Sequence, residues 1–360
     1  MHSLSDLGWT SSLDDAMRHV HSDDLRPARV SVAQRGRFQL LGLGDHPVWG
    51  ALSGQLRHHA ADPLDLPAVG DWVLVRPGDT PVIQRLLPRA SCFVRKAVGM
   101  GGAPQVVAAN IDRVLVVTAA GGDLSPRRIE RYLAAVWDGG AEPVVVVNKS
   151  DLVTDWASIT QTLRACAAGV PVAYVSATAE GGLAELLPLV EPGETLALVG
   201  SSGVGKSTLT NRLLGEARLE TQAVREGDDK GRHTTTHREL FVAPSGALVI
   251  DTPGMRELGL WNAEGGLTAA FGDVEGLAGA CRFRDCTHQG EPGCAVTEAV
   301  HTGALDAERL ASYDKLQKEL AFEERRSDPR AAANAKRRWK EIHKSARART
   351  ELLRSQGRKA

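Results

Sequence analysis

The stretch that decides the fold is Gly200-Ser201-Ser202-Gly203-Val204-Gly205-Lys206-Ser207. It matches the phosphate-binding pattern G-x-x-x-x-G-K-[ST]. The apolar run Leu196 to Val199 before it predicts a strand, and Thr208 to Leu214 after it predicts a helix. Because glycines let backbone N–H groups turn toward phosphates, this context predicts a nucleotide site that extends to Thr208. We expect Lys206 to reach the β- and γ-phosphates and the Ser207 hydroxyl to ligate Mg²⁺.

A second motif, Asn148-Lys149-Ser150-Asp151, follows the apolar run Val144 to Val147. The Asp151 carboxylate can accept hydrogen bonds from guanine N1–H and the exocyclic amine, whereas adenine offers an acceptor there and leaves the carboxylate unpaired. We expect Asn148 to brace neighbouring loops and the stem of Lys149 to lie along the base. The pair Ser176-Ala177 follows the predicted strand Val172 to Val175, and its backbone is expected to support the guanine O6.

A third motif, Asp251-Thr252-Pro253-Gly254, ends the predicted strand Ala247 to Ile250. We expect Asp251 to hold Mg²⁺ through water and the Gly254 N–H to sense the γ-phosphate. The preceding segment Gly231-Arg232-His233-Thr234-Thr235-Thr236 is predicted to be a switch loop. Thr235 is our candidate for completing the Mg²⁺ shell, with Thr234 and Thr236 as alternatives.

The residue that assists hydrolysis is not the usual one. Ras-like enzymes place a glutamine directly after D-x-x-G, but this chain has Met255 there. His233 is the local candidate for orienting the attacking water or acting as a base, the alternative being an exposed loop histidine. Without the glutamine we expect slow intrinsic turnover and stimulation by a partner.

The motifs run in an unusual order. A conventional small GTPase begins with the phosphate loop and ends with N-K-x-D and S-A, whereas here N-K-S-D and S-A come first. Strand neighbours need not follow chain order, so the same sheet can form from a permuted chain. As a consequence, D-T-P-G leads directly into the C-terminal segment.

Three cysteines and a histidine form the spacing C-x4-C-x-H-x5-C late in the chain. Three thiolates and an imidazole suit a closed tetrahedral zinc site, and we expect one structural zinc ion there. The alternatives are free thiols with an unrelated histidine, or His301 in place of His288. The predicted ligands are Cys281, Cys286, His288 and Cys294.

The rest of the chain suggests a multidomain protein. Short alternating apolar runs at residues 28–98 predict a small antiparallel β domain, with an OB-fold barrel preferred and an SH3-like barrel left open. Residues 1–27 are predicted to be an extension with a short helix, and Gly99 to Pro104 to be a linker. Alternating strands and helices at 104–262 predict an α/β domain with a mostly parallel sheet, and 263–360 a helical zinc domain.

Composition narrows the functional classes. The chain has 360 residues, is 42% hydrophobic and has a net charge of -1, as expected of a globular protein. It has neither a long apolar run nor a secretory leader pattern, so we expect no membrane contact and a cytoplasmic location with reduced thiols. The segment Arg325 to Lys359 is strongly basic, which favours RNA binding over a merely solvated helix face.

Together the permuted motifs, G-x-H-T-T-T and the cysteine cluster resemble ribosome small-subunit-dependent GTPase A, a family of bacterial ribosome-biogenesis GTPases. The resemblance spans about residues 28–350 and includes Val69-Gly70-Asp71-Trp72-Val73. It implies an OB-fold, a permuted GTPase domain and a zinc domain. It also implies binding to the 30S subunit and 16S rRNA late in assembly, with ribosome-stimulated GTP hydrolysis. The family's proposed catalytic histidine falls on His233, and its zinc ligands fall on the cluster named above.

Two other functions stay open at this point. One is a P-loop ATPase that acts on another RNA particle, and the other is a zinc RNA-binding module with a vestigial nucleotide site. A monomer that binds GTP and GDP remains the preferred interpretation.

Overall fold

The computed structural model describes residues 2–20, 24–34, 36–60, 63–96, 104–120, 123–215, 238–251 and 264–327. The predicted N-terminal extension contains the expected short helix, α1 (Ser11–Arg18). The extension packs on the rest of the chain, because Leu7 is fully buried and the Trp9 ring meets the Trp72 ring edge-on at 4.8 Å between centroids.

Five strands form a closed barrel in the order β1-β2-β3-β5-β4, with β4 returning to β1. All pairs are antiparallel except β3 with β5. The parallel pair and the helix α2 (Gly54–His59) after β3 match the OB-fold and not an all-antiparallel SH3-like barrel. The strands are β1 (Arg26–Gln34), β2 (Arg37–Leu41), β3 (Val48–Leu52), β4 (Trp72–Arg76) and β5 (Val82–Leu86).

The predicted linker between barrel and α/β domain was wrong at its C-terminal end. Pro104 begins a strand, β7 (Pro104–Ala109), which pairs antiparallel with β6 (Cys92–Lys96). The glycine-rich stretch therefore connects two paired strands. The domain boundaries given from the sequence, at 1–27, 28–98, 104–262 and 263–360, stay predictions.

The α/β part has a six-stranded sheet in the order β10-β9-β8-β11-β13-β12. Its strands are parallel except β12, which is antiparallel to β13, so the mostly parallel sheet is confirmed. Runs of valine, leucine and isoleucine form the central strands because both faces are covered by other elements. The strands are β8 (Arg113–Ala119), β9 (Glu142–Asn148), β10 (Val172–Tyr174), β11 (Thr195–Val199), β12 (Glu239–Val242) and β13 (Leu248–Asp251). The helices are α3 (Pro126–Asp138), α4 (Trp156–Cys166) and α5 (Lys206–Leu214).

Barrel and α/β sheet are joined into one eleven-stranded sheet by a pairing of β1 with β12, where Val32 lies opposite Glu239. The buried side chain of Arg29 strengthens the junction. Its guanidinium donates to Leu7 O in the extension, to Gly70 O in the barrel segment, to Asn110 O at 2.9 Å and to Thr195 Oγ1 at 2.7 Å. One side chain thus connects three parts of the chain.

Residues 264–327 form a helical unit that we call the C-terminal module. Its helices are α6 (Glu264–Ala270), α7 (Gly272–Ala278), α8 (Ala295–His301) and α9 (Ala307–Ser327), as the sequence predicted after Leu260. The predicted basic tail helix, including Lys336, Trp339 and Arg347, lies outside the described residues. Within the described ranges, no helix has the length and apolar content needed to cross a bilayer.

Candidate nucleotide-binding site and metal centre

The phosphate loop lies between β11 and α5, in the predicted strand-loop-helix setting. Three of its glycines have positive φ, with Gly200 at 145°, Gly203 at 80° and Gly205 at 94°. A Cβ on Gly200 would approach Val117 O to 2.1 Å, so a side chain there is excluded by backbone. The glycines are therefore required for the curl that turns N–H groups inward.

The lysine and hydroxyl residues of the loop motif occupy the start of α5. The Lys206 ammonium donates to Gly200 O at 2.7 Å and to Ser201 O, so its charge lies over the concave side of the loop. Ser207 and Thr208 follow in the first helical turn, where the helix dipole favours an anion. Ser202 is exposed and Val204 is buried beneath the loop.

Asn148, at the end of β9, joins the base-reading motif to the phosphate loop. Its Nδ2 donates to Val204 O at 2.8 Å, and its Oδ1 accepts from the Ala177 amide at 3.1 Å. A Cβ on Gly205 would lie 2.3 Å from the same Nδ2, so glycine is needed for this contact. The bracing predicted for Asn148 is thus confirmed, and it brings three motifs together.

The neighbouring residues of this motif lie on the loop after β9. Lys149 has a φ of 61°, and Asp151 is exposed in the single 3-10 turn Ser150–Leu152. The Ser150 amide donates to Val175 O at 3.0 Å, which ties this loop to the strand that precedes Ser176. Both polar loops thus follow neighbouring parallel strands at the same end of the sheet, the usual ligand position in α/β folds.

Asp251, the last residue of β13, is paired directly across the sheet with Glu239 of β12. Burial raises the pKa of the Asp251 carboxyl, and the like charge of Glu239 raises it further. A cation bound here would favour the ionised carboxylate and offset both effects. His233, Thr235 and Gly254, together with the rest of the switch loop, lie outside the described residues.

One contact of the phosphate loop was not predicted. Arg128, in the first turn of α3, donates to Ser201 Oγ and to Asp123 Oδ1 at 2.6 Å. Nothing in the local sequence indicates this contact, because Arg128 and Ser201 lie 73 residues apart. Helix α3 is therefore attached to the loop expected to hold the phosphates.

The four predicted metal ligands lie together in the C-terminal module. The three thiol sulfurs and a histidine ring nitrogen are all within 4.8 Å of one another. Cys281 Sγ lies 3.9 Å from Cys294 Sγ, and His288 Nδ1 lies 3.7 Å and 3.4 Å from these two sulfurs. Ligand bonds of about 2.3 Å to sulfur and about 2.0 Å to nitrogen imply tetrahedral edges of roughly this length. The cluster can therefore hold a metal ion.

Local hydrogen bonds prepare this cluster for a cation. Burial alone would raise the pKa of the Cys294 thiol. The Thr297 amide, at 3.4 Å, and the Thr297 hydroxyl, at 3.2 Å, both donate to its sulfur and help lower this pKa to about 6. Glu291 was not predicted, yet its carboxylate accepts from the Thr287 amide at 2.9 Å and the Gln289 amide at 2.8 Å. It thereby shapes the loop that carries two of the four ligands.

The sheet order, the phosphate loop and the earlier position of N-K-S-D define a circularly permuted P-loop GTPase. The family model described as RsgA GTPase matches residues 86–261. The chain is also 46% identical to the small ribosomal subunit biogenesis GTPase RsgA of Opitutus terrae, over 97% of this chain and 98% of that protein. The chain belongs to the RsgA GTPase family, and it is a GTP hydrolase.

Solved structures agree with this assignment. YjeQ from Thermotoga maritima is similar with a TM-score of 0.63 and 25% identity, covering 82% of this chain and 98% of that one. YloQ, described as a circularly permuted GTPase, has a TM-score of 0.61 and 25% identity, covering 84% of this chain and 97% of that one. Both support the permuted arrangement.

Proposed function

We propose that this chain binds the 30S ribosomal subunit and acts late in its assembly, hydrolysing GTP to GDP and phosphate with stimulation by the subunit. The observation that carries this proposal is the near full-length, 46% identical relative named for small ribosomal subunit biogenesis. The basic segment Arg325 to Lys359 supplies charge suited to 16S rRNA phosphates. The protein acts as a cytoplasmic monomer.

In this proposal, Asp151 reads the guanine edge while the loop from Gly200 to Ser207 holds the phosphates. The contacts of Asn148 with Val204 and Ala177 support it, because they keep base and phosphate sites in register. Lys149 lies along the base, and the backbone of Ser176 and Ala177 faces the guanine O6.

Mg²⁺, when bound with GTP, neutralises charge that develops on the β- and γ-phosphate oxygens. Ser207, Thr235 and Asp251 would hold it, and the Gly254 amide would contact the γ-phosphate. His233 orients the attacking water, because Met255 can neither donate nor accept a useful hydrogen bond. The cysteine cluster would hold zinc, for which three thiolates and one imidazole are a preferred set.

The decisive experiment measures GTP turnover with and without purified 30S subunits. We expect strong stimulation for the wild type, loss of turnover for Lys206→Ala, and loss of stimulated turnover with retained nucleotide binding for His233→Ala. Co-sedimentation with 30S subunits should be stronger with a non-hydrolysable GTP analogue than with GDP. Equal turnover with and without subunits, and equal co-sedimentation in both nucleotide states, would rule out the proposed role.

A further inference from the structure

Helix α3 contacts the phosphate loop at one end and the C-terminal module along its length. Its first turn carries Arg128, which donates to Ser201 Oγ. Two residues further along the same helix, Glu130 is buried with 2% of its surface exposed and points to the module. One helix thus carries both contacts, two residues apart.

The contact with the module is an ion-pair network centred on Arg309 of α9. Its Nη1 donates to Glu130 Oε1 at 2.9 Å, while Nε and Nη2 donate to the two carboxylate oxygens of Asp273 at 2.6 Å and 2.8 Å. Nη2 also donates to Ala270 O at 2.9 Å, and the guanidinium lies 4.8 Å from the centre of the Phe271 ring. Each of the three guanidinium nitrogens of Arg309 donates at least one hydrogen bond, so the orientation of the group is fixed.

The backbones of α3 and α6 also lie in direct contact, at Gly266 of α6. A Cβ on Gly266 would lie 2.1 Å from Ala134 O and 2.8 Å from the Asp138 amide. No larger residue fits there without moving one helix. The module is therefore docked on α3 by a buried ion pair and by direct backbone contact.

We infer that Glu130 and Arg309 are positioning residues for the phosphate loop, acting through α3 and the Arg128–Ser201 contact. The C-terminal module thereby influences nucleotide affinity, and bound nucleotide influences the docking of the module by the same factor. This inference rests on the proposed nucleotide site. It further implies that a partner bound to the C-terminal module would change the position of the phosphate loop and so the nucleotide affinity.

A double-mutant cycle of Arg128→Ala and Arg309→Met tests the inference, with the affinities for labelled GDP and a labelled GTP analogue as readout. The two arginines do not touch, so independent effects would multiply to within about 2-fold. We expect Arg309→Met to weaken binding by about 5-fold or more in the wild-type background and to have little further effect beside Arg128→Ala. The matched control is Arg131→Ala, which removes a half-buried ion pair between α3 and Glu319 of α9 and should change affinity by less than about 2-fold.

A second variant separates positioning from folding. Replacing both Glu130 and Arg309 by methionine removes the two buried charges together and leaves only the half-exposed Asp273 carboxylate, which water can solvate. Such replacements often preserve stability. We expect its melting temperature to stay near that of the wild type while the affinity loss of Arg309→Met persists. Wild-type affinity in this variant, or independent effects in the cycle, would overturn the inference. Neither outcome depends on 30S stimulation, so failure of the proposed ribosomal function would be seen separately.

Discussion

The side-chain amide of Asn148 donates to the carbonyl oxygen of Val204 at 2.8 Å, across 56 residues of sequence. The same amide accepts from Ala177, so loops after three different strands share one buried side chain. The relative position of base-reading and phosphate-binding groups therefore depends on this residue.

Asn148→Ala is expected to weaken GDP and GTP binding by about 10- to 100-fold. Val204 O and the Ala177 amide would each lose a buried partner, at about 1–3 kcal/mol per group. Titration with fluorescent nucleotide measures the loss. Asn110→Ala is the matched control, because Asn110 also bonds two backbone groups, Gly70 O and the Ala90 amide, but at the barrel junction. It should lower the melting temperature and leave affinity unchanged, and an equal loss of affinity in both variants would contradict the assignment.

Asp151→Asn is expected to change the base that is preferred. An amide can donate to the C2 carbonyl of xanthine but cannot accept both guanine donors, so GTP affinity should fall by about 100-fold or more while XTP affinity rises. Competition of GTP, XTP and ATP against labelled GDP measures the change. Two outcomes would show that Asp151 does not read the base. One is a variant that loses affinity for GTP without gaining affinity for XTP, and the other is a wild type from which ATP displaces labelled GDP as well as GTP does.

Glu239→Gln is expected to shift the pH dependence of Mg²⁺-supported GTP turnover toward acid. Burial and Glu239 hold the Asp251 pKa above its ordinary 3.8, so the folded state binds the carboxyl proton more tightly than the unfolded chain does. The associated stability is present below the unfolded pKa and is lost as the pH rises through the raised folded pKa. Protons therefore compete with Mg²⁺ as the pH falls toward that value, and removing Glu239 lowers it.

Magnesium titrations of turnover at a series of pH values measure this shift. Glu142→Gln, at an exposed position on β9, serves as the control. A profile identical to that of the wild type would show that Asp251 does not limit metal binding.

Cys294→Ser is expected to release the metal ion and to unfold the short helices around the cluster. Elemental analysis of the wild type should give about one zinc per chain, and a chelator should lower its helical circular dichroism. Cys166→Ser is the control, because this buried thiol of α4 is not one of the four clustered side chains, and burial raises its pKa to about 12. Unchanged zinc content in Cys294→Ser would rule out the predicted ligand set.

Local sequence patterns predicted the elements that carry the motifs. The strands before N-K-S-D, S-A and the phosphate loop were placed within about two residues, because buried parallel strands are continuous apolar runs ended by polar or glycine residues. Strand β12 and helix α4 were missed, since Glu239–Val242 is short and Trp156–Cys166 mixes polar and apolar residues without a clear stripe.

Contacts between distant residues that belong to no motif could not be predicted. Glu130 and Arg309 are separated by 179 residues, and their pairing depends on how α9 docks on α3. The only local sign was a charged residue, Glu130, among the buried positions Ile129, Leu133 and Ala134 of α3. Likewise, no local pattern in β1 or β12 indicates that the barrel and the α/β sheet join there.

The strand order also determines how the sheet can assemble on the translating ribosome. The barrel emerges first, and β8, β9 and β10 follow as a ribbon with consecutive neighbours. Strand β11 then adds beside β8, and the β12–β13 pair adds beside β11, so no strand has to insert between two that are already paired. The pairing of β12 with β1 links strands more than 200 residues apart, so it has the largest loop-closure cost of the pairings in this sheet. A nascent chain halted before Glu239 would lack both β12 and β13, and with them the only strand pairing described between the barrel and the α/β sheet.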